Sequence, residues 1–212
     1  MRVVYLHGFA SGPASRKARL FIEKLRVEHI SVEALDLAPD FRHLTLSSQL
    51  KVIDNAVKGD PVMLIGSSLG GYLAALYASK HLPVDRLILL APAFDFYQLW
   101  ADELGPGKLA EWRKNRSIPV FHYGMGKHAP LDYQLMEDAQ HYPPFPDFAQ
   151  PCLILHGLKD SVVPYEMSAA FAATHPNVTL VALDSGHEMT DVLDEIWNSA
   201  STFLLGPSPK SS

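Results

Sequence analysis

Six short strand-type runs, half of them apolar from end to end, constrain this chain more than any other feature. They fall at residues 3–6, 31–37, 62–65, 86–90, 152–155 and 178–183. A strand that is apolar along its whole length must be covered on both faces, because alternate side chains point to opposite sides of the sheet. The stretches between these runs carry helical periodicity. Ala18, Phe21, Ile22 and Leu25 share one face of a helix that Ser15 can cap and that runs to about residue 27. Leu46, Leu50, Ile53 and Val57 mark a second helix. Residues 69–80, 165–173 and 191–205 read as three more. This alternation predicts an α/β fold: a mostly parallel six-stranded sheet with helices on both faces.

The rhythm breaks over about residues 93–150, which hold 11 of the chain's 21 aromatic residues. A segment this long between two core strands is read as a small inserted cap rather than a bare loop. Inside it the pattern predicts a helix over 97–114 and strand-like stretches at 120–123 and 132–135. A chain of 212 residues can bury a sizeable core, and residues 1–205 are expected to form one domain with the cap inserted. The Pro/Ser-rich tail, 206–212, is expected to be disordered.

Charge and composition narrow the partners. The net charge of −5 argues against nucleic acid or an anionic membrane surface. No apolar stretch approaches the ~18 residues of a membrane span. The apolar run at residues 3–6 is too short and too early for a signal peptide, so the expected location is cytoplasmic. The single cysteine, Cys152, fits a reducing compartment and, at the start of an apolar run, reads as a buried, inert thiol.

The chemistry is concentrated in Leu64-Ile65-Gly66-Ser67-Ser68-Leu69-Gly70-Gly71. A buried strand runs into a glycine-flanked serine and then into an apolar helix. Serine is a poor nucleophile at neutral pH and needs a base, an oriented geometry and an oxyanion site. The G-x-S-x-G pattern supplies the geometry, since small neighbours let helix and strand approach while the backbone turns sharply at the serine. Only Ser68 has glycine at both −2 and +2, so Ser68 is the candidate nucleophile and Ser67 a spacer.

The base must be a histidine held in one tautomer by a carboxylate. His187 follows the last strand and precedes the last helix, so it belongs at the carboxyl edge of a parallel sheet, where sites form. His7 and His156 also end strands, and position alone does not separate them from His187. Each directly precedes a glycine. The acid of choice is Asp160, after the fifth strand. Asp95 and Asp184 are its rivals, Asp184 the weaker because it would have to fold back on the histidine's own loop. The chain order Ser68, Asp160, His187 matches one known triad architecture. The oxyanion hole needs two N–H groups, and the choices are Leu69, at a helix N-terminus, and Phe9, in the loop after the first strand. The side chain of His7 is expected to hold that loop rather than to move protons.

With these residues in place, the chain resembles the α/β-hydrolases, and more narrowly the small bacterial YqiA/YcfP-like esterases. The resemblance rests on Tyr5-Leu6-His7-Gly8-Phe9-Ala10-Ser11-Gly12-Pro13, on Ile65-Gly66-Ser67-Ser68-Leu69-Gly70-Gly71-Tyr72, and on the brief cap. It implies hydrolysis of carboxylic esters or thioesters through an acyl-enzyme on Ser68, with a small-molecule acyl substrate and no cofactor. No metal is expected, because His122, His128 and His141 lack ligand spacing. Two alternatives stay open: a serine hydrolase of amide or peptide bonds, and a non-catalytic binding protein on the same fold.

Overall fold

The computed structural model describes residues 2–80 and 83–206. The first half runs β1 (Arg2–Leu6), α1 (Arg16–Val27), β2 (Ser31–Leu35), α2 (Leu46–Val57), β3 (Val62–Ser67), α3 (Leu69–Ala78) and β4 (Val84–Leu90). An inserted segment follows, with α4 (Phe96–Asn115), β5 (Ser117–His122), β6 (Lys127–Asp132) and α5 (Gln134–Ala139). The chain then returns through β7 (Cys152–Gly157), α6 (Tyr165–Thr174), β8 (Val178–Leu183) and α7 (Leu193–Leu205).

Six strands form one sheet in the order β2-β1-β3-β4-β7-β8, and every pairing in it is parallel. The apolar runs explain why. Val3, Tyr5, Met63, Ile65, Ile88 and Leu90 point to one face, where they meet α1 and α7. Val4, Leu6, Leu64, Leu87 and Leu89 point to the other, against α2, α3 and α6. Covering both faces removes the alternation that a half-exposed strand would show. It survives only at the edge, where β2 alternates exposed and part-buried positions. Helix α3 is buried at all ten positions, as its uniformly apolar sequence requires of a helix enclosed on every side. The thiol of Cys152 lies in the same interior, and burial pushes its pKa well above the ordinary thiol range.

The inserted segment departs in part from its sequence pattern. Helix α4 is two helical pieces meeting at Gly105, whose φ is 71°. Pro106 opens the second piece, where its missing N–H has no intrahelical partner to lose. Strands β5 and β6 make a separate antiparallel hairpin with Pro119 opposite Pro130. A two-stranded ribbon is all edge, so it tolerates prolines that a central strand would reject. Residues 132–135 are not the strand expected there. Asp132 closes β6, the Tyr133 N–H donates to the Arg116 carbonyl, and the chain turns into α5. Gln134 to Ala139 are good helix formers, and Leu135, Met136 and Ala139 face the core.

This segment shares the core on the α2–α3 side of the sheet. Trp112 is fully buried, donates its indole N–H to the Leu131 carbonyl at 3.0 Å and meets the Tyr133 ring edge-on. The Tyr72 hydroxyl of α3 donates to the Pro143 carbonyl at 2.7 Å, and the Ser47 hydroxyl of α2 donates to Asp138. The expected tail lies, from residue 207 onward, outside the described residues. Among the described residues no helix is long and apolar enough to cross a membrane.

Trp112 is therefore the anchor of the segment. Trp112→Ala should lower unfolding free energy by about 3–5 kcal/mol. Trp112→Phe should cost less, because it keeps apolar volume and strands only the Leu131 carbonyl. Urea denaturation of the two variants beside the parent checks both the size and the order.

Candidate active site

Between β3 and α3 the chain turns at one residue, Ser68, whose φ of 53° and ψ of −118° are a strained conformation for a side chain with a Cβ. The neighbours enforce it. A Cβ on Gly70 would lie 2.2 Å from the Leu6 carbonyl oxygen, and one on Gly66 would lie 2.3 Å from the Gly70 carbonyl oxygen. Helix α3 thus rests directly on the end of β1, and only glycine fits at either contact. The Ser68 N–H donates to the Leu90 carbonyl at 2.8 Å, and the Ser68 carbonyl accepts from Gly71, Tyr72 and Ala93. The turn is held from both sides.

Sheet topology decides what surrounds it. From β1 the chain first moves outward to β2, then crosses back to place β3 on the other side of β1. At such a switch point the loops diverge at the carboxyl ends of the strands. The loop after β1 lies there, and a Cβ on Gly8 would lie 3.4 Å from the Ser68 Cβ. Neither the Phe9 N–H nor the Leu69 N–H is taken by another protein group among the described residues. Leu69 follows Ser68 directly and opens a helix, whose N-terminal dipole favours negative charge there, while Phe9 follows Gly8 in the loop.

The Phe9 loop is braced from outside. The Phe9 ring packs edge-on to Trp100 of α4 at 4.8 Å and tilted against Phe41 and Phe96. At the tip of the β5–β6 hairpin, the Tyr123 N–H donates to the Ala10 carbonyl at 2.8 Å. His7 is buried beneath the loop. Its Nδ1 donates to the Gly8 carbonyl and its Nε2 accepts from the Leu37 N–H, while burial lowers its pKa. Both ring nitrogens are used to hold backbone.

His187 and Asp160 come from the loops after β8 and β7, which lie in backbone contact. A Cβ on Gly157 would sit 2.4 Å from the Ser185 carbonyl oxygen, and the Lys159 N–H donates to that same carbonyl. Asp160 is then delivered to His187 at 2.8 Å, Oδ2 to Nδ1, and His187 Nε2 reaches Ser68 Oγ at 3.2 Å. An ionised carboxylate only accepts, so Nδ1 carries the proton and Nε2 is left to accept from the serine hydroxyl. The Asp160 side chain is fully buried, and that of His187 is 15% exposed.

Burial raises the pKa of Asp160, but the hydrogen bonds from His156 and His187, the field of His187 and the Val163 N–H outweigh it. The carboxyl is held well below the usual carboxylate range. The sequence reading named His156 only as a strand-end histidine and missed Lys17. His156 Nε2 lies 3.2 Å from the same Oδ2 that His187 uses. Their separation of four residues was the available signal. Lys17 of α1 is buried and donates its ammonium to the Glu188 carbonyl at 2.9 Å, next to His187. Burial lowers its pKa, and nothing in its sequence context marks it. The rival acids stand apart from this cluster. Asp184 is exposed and paired with Lys159, and Asp95 precedes α4 in a left-handed conformation.

A family model described as "Uncharacterised protein family (UPF0227)" matches residues 2–204. The mouse protein named "Palmitoyl-protein thioesterase ABHD10, mitochondrial" is 31% identical over 156 residues, which is 68% of this chain and 51% of that protein. The chain thus spans about half the length of the curated relatives it matches. Among solved structures, mouse alpha/beta hydrolase domain-containing protein 10 superposes with a TM-score of 0.81 at 20% identity, covering 96% of this chain and 89% of the other. Est1E from Butyrivibrio proteoclasticus gives 0.79 at 22% identity, covering 96% and 86%. The sheet and its helices are an α/β-hydrolase fold.

Asp160 links this site to acid stability. Its carboxyl is depressed in the folded chain, so the stabilisation it brings is present above the unfolded carboxylate pKa and is lost as pH falls towards the folded value. The stability gap between parent and Asp160→Asn should therefore be widest near neutrality and narrow from about pH 5 downward. Urea midpoints measured across that range check the sign.

Proposed function

We propose that this chain, which belongs to the UPF0227 family and has the α/β-hydrolase fold, is a serine hydrolase of carboxylic esters or thioesters. The observation that carries the reading is the unbroken hydrogen-bond chain from Ser68 Oγ through His187 to Asp160. His187 takes the proton of Ser68 as Oγ attacks the acyl carbonyl. Asp160 stays ionised and stabilises the imidazolium that results. The Phe9 and Leu69 N–H groups receive the oxyanion, in a crevice where fixed donors need no reorganisation. His187 then protonates the departing alcohol or thiol, and water repeats the sequence on the acyl-enzyme. No step calls for a metal or cofactor.

The name of the mouse relative, a palmitoyl-protein thioesterase, favours an acyl thioester among the substrates to be tried. Residues 93–150 serve as the cap in this reading. Packing of Trp100 on Phe9 supports it, since it sets an aromatic wall beside the acyl-binding crevice.

Ser68→Ala should keep the fold and cut turnover of p-nitrophenyl esters and acyl-CoA thioesters by roughly 10⁴- to 10⁶-fold. A fluorophosphonate probe should label the parent at Ser68 and leave the variant unlabelled. Unchanged hydrolysis by Ser68→Ala overturns the proposal. Preferential turnover of aminoacyl amides would move the activity to amide bonds.

A further inference from the structure

We infer that His156 is a positioning residue for the acid of the site, locking the rotation of the Asp160 carboxylate, with buried Ser168 setting the tautomer that lets it do so. The inference rests on the serine-hydrolase reading above. Asp160 lies in a loop, and a carboxylate on a loop can rotate about its last torsion unless both oxygens are tied. Oδ1 is tied by the N–H groups of Val162 at 2.9 Å and Val163 at 2.8 Å. Oδ2 receives His187 Nδ1, the proton donor that becomes an imidazolium during turnover, and His156 Nε2. Among the described residues, His156 is the one donor to Oδ2 that takes no part in proton transfer.

The hydrogen positions at His156 follow from its partners. Nε2 faces two acceptors, the Asp160 carboxylate and the Val163 carbonyl at 2.9 Å, so it carries the proton and is shared between them. Nδ1 is then free to accept, and the Ser168 hydroxyl lies 2.8 Å from it. His156 and Ser168 are both completely buried, so water cannot replace either bond. The Tyr165 ring meets His156 edge-on and closes the remaining side. Any buried histidine must satisfy its ring nitrogens, so what distinguishes this one is where the bonds go. This one spends both ring nitrogens, and one of them on the oxygen that His187 requires.

The Ser168–His156 pair therefore does for Asp160 what Asp160 does for His187: it holds one orientation through many cycles. Loss of an outer hydrogen bond that orients a functional side chain costs about 10- to 100-fold in metal sites, and that range sets the scale used here. His156→Leu removes the donor, His156→Gln returns an N–H near the Nε2 position, and Ser168→Ala removes only the group that sets the tautomer.

Turnover of p-nitrophenyl butyrate, expressed per site titrated with fluorophosphonate, separates the roles. His156→Leu should lower kcat about 10- to 100-fold with KM within about twofold, and His156→Gln should recover most of it. Ser168→Ala should fall between them. If all three variants lose thermal stability yet keep the parent kcat per titrated site, His156 is structural only and the inference fails. Should His156→Leu not fold, the contrast of His156→Gln with Ser168→Ala decides in the same way. A parent that takes no label overturns the hydrolase reading instead. The carbon-13 titration of the Asp160 carboxyl then tests the contact by itself. Its midpoint should rise in Ser168→Ala while the other charged groups facing it, His187 and Lys17, are unaltered. An unmoved midpoint overturns the inference.

Discussion

The approach of α3 onto the end of β1 is the contact on which the rest of the site depends. Gly66 and Gly70 allow backbone to lie on backbone there, with no side chain between. Once the helix is that close, the single residue joining it to β3 must take a left-handed conformation, and that residue is Ser68. The strain is offset by an enclosed apolar helix that could pack nowhere else. The same approach brings the loop after β1 against Ser68, so one close contact sets the Ser68 hydroxyl, the α3 N-terminus and the loop after β1 together.

A second close approach, of the loops after β7 and β8, does the equivalent for the charged partners. Gly157 lets the two loops meet, and Asp160 reaches His187 without crossing solvent. Burying a carboxylate and an ammonium, Asp160 and Lys17, so near each other is expensive unless every charge is met by fixed donors and acceptors. Asp160 has four donors, and Lys17 has the Glu188 carbonyl. Met189 follows with a φ of 48°, a second strained residue in the turn that carries His187. Ser68 and Met189 thus place two positive-φ residues at the edge of the sheet where Asp160 and Lys17 are buried.

The legible part of this chain was the part set by short-range pattern. Apolar runs gave the six sheet strands to within a few residues, because burial on both faces leaves few polar positions in the central strands to confuse the period. The serine turn was legible because glycine spacing acts within five residues. The inserted segment was harder. Pro119 and Pro130 disguise β5 and β6, since prolines argue against strands unless the ribbon is known to be all edge. Residues 132–135 read as strand on the strength of Tyr133 and Leu135, whereas the helix they enter is selected by burial of Met136 and Ala139 further on. At the site, Asp95 and Asp160 looked alike because both end strands. Only the register that sets Gly157 opposite Leu183 shows which loop faces His187. The contacts of His156 and Lys17 depend on which face of the sheet each neighbour occupies, and local spacing holds no record of that.

The bond between the hairpin tip and Ala10 bears on how such a chain can change over evolutionary time. Inserted segments are commonly regarded as interchangeable parts that alter selectivity while an inherited scaffold preserves the reaction. Here the insertion grips the backbone one residue beyond Phe9, and its Trp100 lies on the Phe9 ring. The insertion and the loop after β1 are therefore mechanically joined. A lineage that exchanges its insertion must also rebuild the packing that holds this loop beside Ser68, which favours gradual drift of the segment over wholesale replacement.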